Sequence, residues 1–127
     1  MASIRSIMTK NVRTIPRNAY VNEVAGIFDT EGIGAAPLVN LVGDTVGVIT
    51  KSDISHFEFV GGDPYSGKAW EISSPRVTTV DVSSSVEDAA RAMLEHHIHH
   101  LLVADNGTIV GILSSLDFVK LVADADG

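Results

Sequence analysis

The chain repeats itself, and this constrains the fold more than any single motif. Val12-Arg13-Thr14-Ile15 lies over Val77-Thr78-Thr79-Val80 at an offset of 65, and the register holds through Val21 over Val86, Ala25 over Ala90 and Ile33 over Ile98. One residue is then lost in a turn. At an offset of 64, Val46-Gly47-Val48-Ile49-Thr50 falls on Val110-Gly111-Ile112-Leu113-Ser114, and Asp53 falls on Asp117. A unit of about 60 residues is marginal as a lone core, so two such units are expected to bury apolar faces against each other.

Both halves carry the same local signals in the same order. A short β-branched stretch (Val12 to Ile15; Val77 to Val82) is followed by an amphipathic helix pattern. Val21, Val24, Ala25, Ile27 and Phe28 share one helical face, as do Val86, Ala89, Ala90, Met93 and Leu94. Ser84 with Glu87 predicts a capping box for the second helix. Two apolar runs then follow, Ala36 to Asn40 with Thr45 to Thr50 and Leu101 to Asp105 with Ile109 to Leu113. Asn106-Gly107 is a strong hairpin signal and Val42-Gly43-Asp44 a weaker one. A last helix closes each half, from Ser52 to about Phe59 and from Ser115 to about Val122. The expected fold is α+β: two β-α-β-β-α repeats related by a pseudo-twofold axis and packed through their sheets. Repeat 1 covers 1–60, a turn-rich linker 61–70, and repeat 2 71–127.

Composition removes whole classes of function. At 45% hydrophobic and 20% charged, the 127-residue chain has material for a core. A formal charge of −7 argues against gripping nucleic acid or an anionic membrane through bulk charge. The absence of cysteine excludes disulfides, thiolate metal sites, Fe–S clusters and a cysteine nucleophile. Arg5, Lys10 and Arg13 occur near the N-terminus without an apolar core of a signal peptide, and no apolar run is long enough to cross a membrane. A soluble, cytoplasmic protein is expected.

The segment Gly-x-x-[Thr/Ser]-x-x-Asp, present twice, carries the chemistry. Glycine inside a strand (Gly47, Gly111) means that something approaches the backbone closely. A strand ending at Thr50 or Ser114 and turning into a helix presents N–H groups and a partial positive charge suited to phosphate. An ionised aspartate one turn on accepts hydrogen bonds only, which suits the two donors of a ribose diol. Thr50-x-x-Asp53 and Ser114-x-x-Asp117 equally fit capping boxes that need no ligand. The two readings are compatible, since a capping hydroxyl can still face a ligand.

The full order of pieces, Ile7-Met8-Thr9 with Val12-x-Thr14, Gly32 to Val39 and Gly47 to Asp53, then Val77-x-Thr79, His97 to Asp105 and Gly111 to Asp117, resembles a tandem CBS-domain pair, the family named after cystathionine β-synthase. The resemblance covers nearly the whole chain; Leu102 departs from it where repeat 1 has Pro37. It implies a regulatory, energy-sensing module with no catalysis and no other cofactor. Adenosine-containing ligands (AMP, ADP, ATP or S-adenosylmethionine-like) would lie in two clefts. It also implies a homodimer and a regulated partner protein. One cleft would take Val48, Thr50 and Asp53 with Val77, Thr78, Thr79, Ile98, His99 and His100. The other would take Ile112, Ser114 and Asp117 with Val12, Arg13, Thr14, Ile33, Gly34 and Ala35. Ile33, Ile98, Val48 and Ile112 would sandwich adenine, and backbone near Val12 and Val77 would read its polar edge. His100 stands where phosphate-binding members carry a basic residue.

Other features lead elsewhere. His96-His97-x-His99-His100 spans a change from helix to strand, so its rings should diverge, and a zinc site is not expected. Phe57, Phe59, Tyr65 and Trp70 lack interleaved basic residues and read as core or dimer contact, not a stacking platform. An enzyme acting on nucleotides is the weakest alternative, because no acid–base pair accompanies either motif. A structural dimerisation module with no bound nucleotide is the stronger one.

Overall fold

The computed structural model describes residues 2–125. Twelve elements run in order: α1 (Ile4–Ile7), β1 (Ile15–Pro16), α2 (Val21–Glu31), β2 (Ala35–Val39), β3 (Thr45–Thr50), α3 (Lys51–Phe59), α4 (Ala69–Ile72), β4 (Thr79–Asp81), α5 (Val86–His96), β5 (His100–Asp105), β6 (Thr108–Ser114) and α6 (Ser115–Ala123). They form two three-stranded sheets, β1-β2-β3 and β4-β5-β6. In each, the first pair is parallel and the second antiparallel. The expected mixed α+β class is what is found, with one addition: each repeat begins with a four-residue helix, α1 or α4, that its sequence did not announce.

The compact units do not follow the repeat boundaries expected at 60 and 71. One unit runs from Arg13 to Val77; the other combines the chain up to Val12 with the chain from Thr78 onward. The cause is an exchange of leaders. In the Arg13–Val77 unit, Ala69 of α4 is fully buried in a core with Val21, Val24, Phe28, Leu38 and Ile49. Ser74 also bridges Val48: its N–H donates to the Val48 carbonyl at 3.1 Å and the reverse bond is 3.0 Å. In the other unit, Ile4 and Met8 join Ala89, Met93, Leu101, Val103 and Leu113, and Thr9 bridges Ile112 with bonds of 2.9 and 3.1 Å. The stretch given to a linker, 61–70, thus includes a core residue, Ala69.

Local chemistry explains the elements. In α2, Val21, Val24 and Phe28 recur at helical spacing and are buried, and Gly32 ends the helix in the left-handed region (φ 66°). In α5 the N-cap is Ser85, whose side chain accepts from the Asp88 N–H at 3.0 Å; a one-sided cap thus replaces the expected Ser84–Glu87 box, one residue later. Asn106 and Gly107 both have positive φ, as a two-residue hairpin requires. The β2–β3 turn is held instead by the Asn40 side chain, which accepts from the Val42 and Asp44 N–H groups at 3.1 and 2.9 Å.

The Leu102 departure has a visible consequence. Its N–H donates to the Thr78 carbonyl at 3.0 Å, and the β4–β5 ladder starts at Thr79 opposite Leu102. Pro37 has no N–H to give, and the β1–β2 ladder starts one residue later, at Ile15 opposite Leu38.

Candidate functional site

In the Arg13–Val77 unit the site is built where β3 turns into α3. Thr50 is extended (φ −125°, ψ 165°), which ends the strand and frees its side chain to cap the helix. The capping box is reciprocal: the Asp53 N–H donates to Thr50 Oγ1 at 3.2 Å, and the Thr50 N–H donates to Asp53 Oδ2 at 2.8 Å. The Lys51 N–H donates to the Gly34 carbonyl at 2.9 Å, and Ala35 pairs with Thr50 across the ladder. Ile33, Gly34 and Ala35 are thereby drawn to the half-buried Thr50 and Asp53.

Much of the helix start is therefore already engaged. Two of the three first-turn N–H groups, those of Lys51 and Asp53, have protein acceptors, and the anion at this terminus is the Asp53 carboxylate itself. The anion-receptive helix start expected from the sequence is narrowed accordingly. What remains is acceptor capacity: Asp53 Oδ1 takes no hydrogen bond among the described residues, and the Thr50 hydroxyl keeps its proton.

The other unit repeats the frame with different side chains. The Ser114 N–H donates to Asp117 Oδ2 at 2.8 Å, the Ser115 N–H donates to the His99 carbonyl at 2.9 Å, and His100 pairs with Ser114. Ile98, His99 and His100 thus meet Ser114 and Asp117. Val12, Thr78 and Thr79 also belong to this unit, whereas Arg13, Thr14 and Val77 belong to the first. Arg13 lies 3.7 Å from Glu31 in an exposed ion pair, a commitment worth little in energy.

Both motif glycines are explained by close approach, but what approaches is protein. A Cβ on Gly47 would lie 2.8 Å from the Ser74 carbonyl oxygen, and one on Gly111 would overlap the Met8 side chain. The leaders occupy the space that the sequence left open to a ligand.

Two cavities accompany the helix starts. One of about 500 Å³ lies beside Asp53, lined also by Ser52, His56, Phe57, Val60, Glu71 and Ile72. The other, about 480 Å³, lies between α5 and α6, lined by Ala90, Met93, Leu94, His97, Ile98, His99, Ser115 and Phe118. Ser52, His56 and Glu71 were not singled out from the sequence. The Asp53-x-x-His56 spacing was a usable signal for one helix face, whereas Glu71 had none before α4 was known. The aromatic cluster divides: Phe57 packs under Gly62 and Gly67, Phe59 and Tyr65 are exposed, and Trp70 carries the Arg17 guanidinium 5.6 Å from its ring centre.

The CBS domain family matches the chain twice, over residues 4–58 and 69–124. This chain belongs to the CBS-domain family. The CBS pair is 31% identical over 127 residues to the uncharacterized protein MJ1225 of Methanocaldococcus jannaschii, covering 94% of this chain and 42% of that one. It is 29% identical over 114 residues to the CBS domain-containing protein YhcV of Bacillus subtilis, covering 90% and 81%. It therefore spans less than half of the first relative and most of the second. Among solved structures, the CBS domain pair of protein MJ0100, in complex with 5′-methylthioadenosine and S-adenosyl-L-methionine, superposes with a TM-score of 0.85 at 26% identity, covering 98% of each chain. No helix among the described residues of the CBS pair is long and apolar enough to cross a membrane.

Proposed function

We propose that this CBS pair is a non-catalytic, cytoplasmic sensing module that binds adenosyl ligands at its two helix starts and needs no other cofactor. Asp53 and Asp117 each accept from the ribose hydroxyls of a ligand, and Ile33, Ile98, Val48 and Ile112 supply apolar surface for adenine. The carrying observation is that the capping box engages Oδ2 of the half-buried Asp53 and leaves Oδ1 open beside a cavity. The adenosyl compounds bound by the MJ0100 pair support the same ligand class. The remaining residues drawn from the family resemblance, the homodimer and the regulated partner are part of the same proposal.

Capping and ligand binding separate cleanly by substitution. Asp53→Asn keeps a carbonyl oxygen to accept the Thr50 N–H but loses the charge; Asp53→Ala loses both. Calorimetry with adenosyl ligands should give a loss of about tenfold or more for either variant, because hydrogen bonds to a charged group contribute about 1.5–3 kcal/mol each. Only Asp53→Ala should also lower the melting point, by the ~1 kcal/mol of a lost cap. Unchanged affinity in both variants would reduce the motif to a cap.

A dimerisation module without ligand is favoured by one observation: Leu94, Leu116, Val119 and Val122, on α5 and α6, are 59–75% exposed. Val21, Phe28 and Met93 take no part in such a face, since all three are buried within their own units. Light scattering of Leu94→Glu, expected to be monomeric, tests that face.

A further inference from the structure

We infer that the Asp53 site selects adenosyl compounds whose 5′ substituent carries no net negative charge, a thioether or a sulfonium, over 5′-phosphate esters. This rests on the reading of Asp53 as the ribose acceptor. A ribose held at Asp53 opens into the adjacent cavity, and the side chains there decide what the 5′ carbon can bear. Asp53 and Glu71 are carboxylates, Ser52 and His56 supply a hydroxyl and an imidazole, and Phe57 and Ile72 are apolar; no lysine or arginine lines it. A phosphate ester would bring two negative charges against two carboxylates with no fixed cation to offset them. A sulfonium meets attraction from both, and a methylthio group meets Phe57 and Ile72.

The helix start does not reverse this preference. The Lys51 and Asp53 N–H groups already have acceptors, and the Asp53 carboxylate occupies the anion position over the Thr50 N–H. The nearest lysine on α3, Lys51, lies with its stem against Gly34, its Cδ 3.8 Å from where a Cβ on that glycine would be, and is not among the cavity residues. His99 and His100, which the family resemblance assigns to the Asp53 cleft, are weaker anchors for an anion than a lysine or an arginine.

The test is calorimetry on the whole chain with 5′-methylthioadenosine, S-adenosylmethionine, AMP and ATP, in about 0.15 M salt without divalent cations. The Asp53→Asn variant isolates the Asp53-dependent component. The first two compounds should bind that component at least tenfold more tightly than the last two. Glu71→Gln keeps an acceptor for the Lys68 N–H, which donates to Glu71 Oε1 at 2.8 Å, so α4 keeps its cap. This variant should narrow the S-adenosylmethionine-to-ATP ratio about threefold and leave the uncharged 5′-methylthioadenosine unaffected. AMP or ATP binding as tightly as the sulfonium, or a ratio unmoved by Glu71→Gln, overturns the inference and leaves the ribose reading standing. Binding of none of the four overturns both.

Discussion

The two repeats share a frame and differ in what they hang on it. The frame is the same in detail: a bulge falls between Leu38 and Val39 in one sheet and between Val103 and Ala104 in the other, and the leader bridges fall at Thr9 and Ser74. The divergence gathers on the helix faces and at the start of the second strand. Gly34 and Lys51 in the first repeat correspond to His99 and Ser115 in the second. In the first, the lysine stem lies across the glycine; in the second, His99 and Ser115 line an open cavity between α5 and α6. Likewise α3 is largely polar outward while α6 exposes Leu116, Val119 and Val122. Duplication conserved the hydrogen-bonded ladders, where a slip by one residue would turn every side chain to the wrong face. It left the exposed helix faces and the cavity-lining positions free to differ.

The largest test of this comparison lies in the cores. Phe28 and Met93 occupy equivalent positions on α2 and α5, but Phe28 is 1% exposed and Met93, at 7%, also lines a cavity. Phe28→Ala should cost about 4 kcal/mol and Met93→Ala about 2–3, because a site already beside empty space loses fewer contacts. Chemical denaturation measures both. Equal losses would mean that the two cores are packed alike despite the cavity.

Next come the motif glycines, equivalent in sequence but crowded by different things. A Cβ on Gly47 meets the backbone carbonyl of Ser74, which is fixed by its own bond from the Val48 N–H. A Cβ on Gly111 meets Met8, a side chain with rotatable bonds that can move aside. Gly47→Ala should therefore destabilise by about 2–3 kcal/mol and Gly111→Ala by about 1. The reverse order would show that Met8 is the more rigid neighbour.

These glycines also mark the limit of what the sequence discloses. The repeat, both long helices, both hairpins and the β3–α3 junction were legible because each depends on a local period or turn residue. Thr50 with Asp53 was readable as a capping box because that bond spans three residues. The four-residue helices α1 and α4 were not, since one turn shows no period. Nor was the exchange of leaders, which depends on Thr9 meeting Ile112 and Ser74 meeting Val48, contacts without a local signal. Gly47 and Gly111 announced a close approach, but only tertiary structure could identify the approaching group. The same ignorance hid Glu71, which reaches the Asp53 cavity through α4.

The smallest expected effect lies at the helix ends, where the repeats solve one geometric problem with different residues. Gly32 after α2 and His97 after α5 are both left-handed, with φ 66° and 53°. Both ends close in the same way, with the Ile33 N–H on the Phe28 carbonyl at 3.1 Å and the Ile98 N–H on the Met93 carbonyl at 3.0 Å. Glycine adopts this conformation freely, and histidine is among the side chains that tolerate it at some cost. Gly32→Ala should therefore destabilise by about 1 kcal/mol. His97→Gly trades relief of that strain against the greater freedom of glycine in the unfolded chain, about 0.5–1 kcal/mol in the opposite sense, and should change stability by less than ~0.5. Paired thermal melts of the two variants measure the difference. A gain above 1 kcal/mol for His97→Gly would mean that the histidine is held in a strained conformation, and since its side chain lines the α5–α6 cavity, the compensating benefit would have to be sought there.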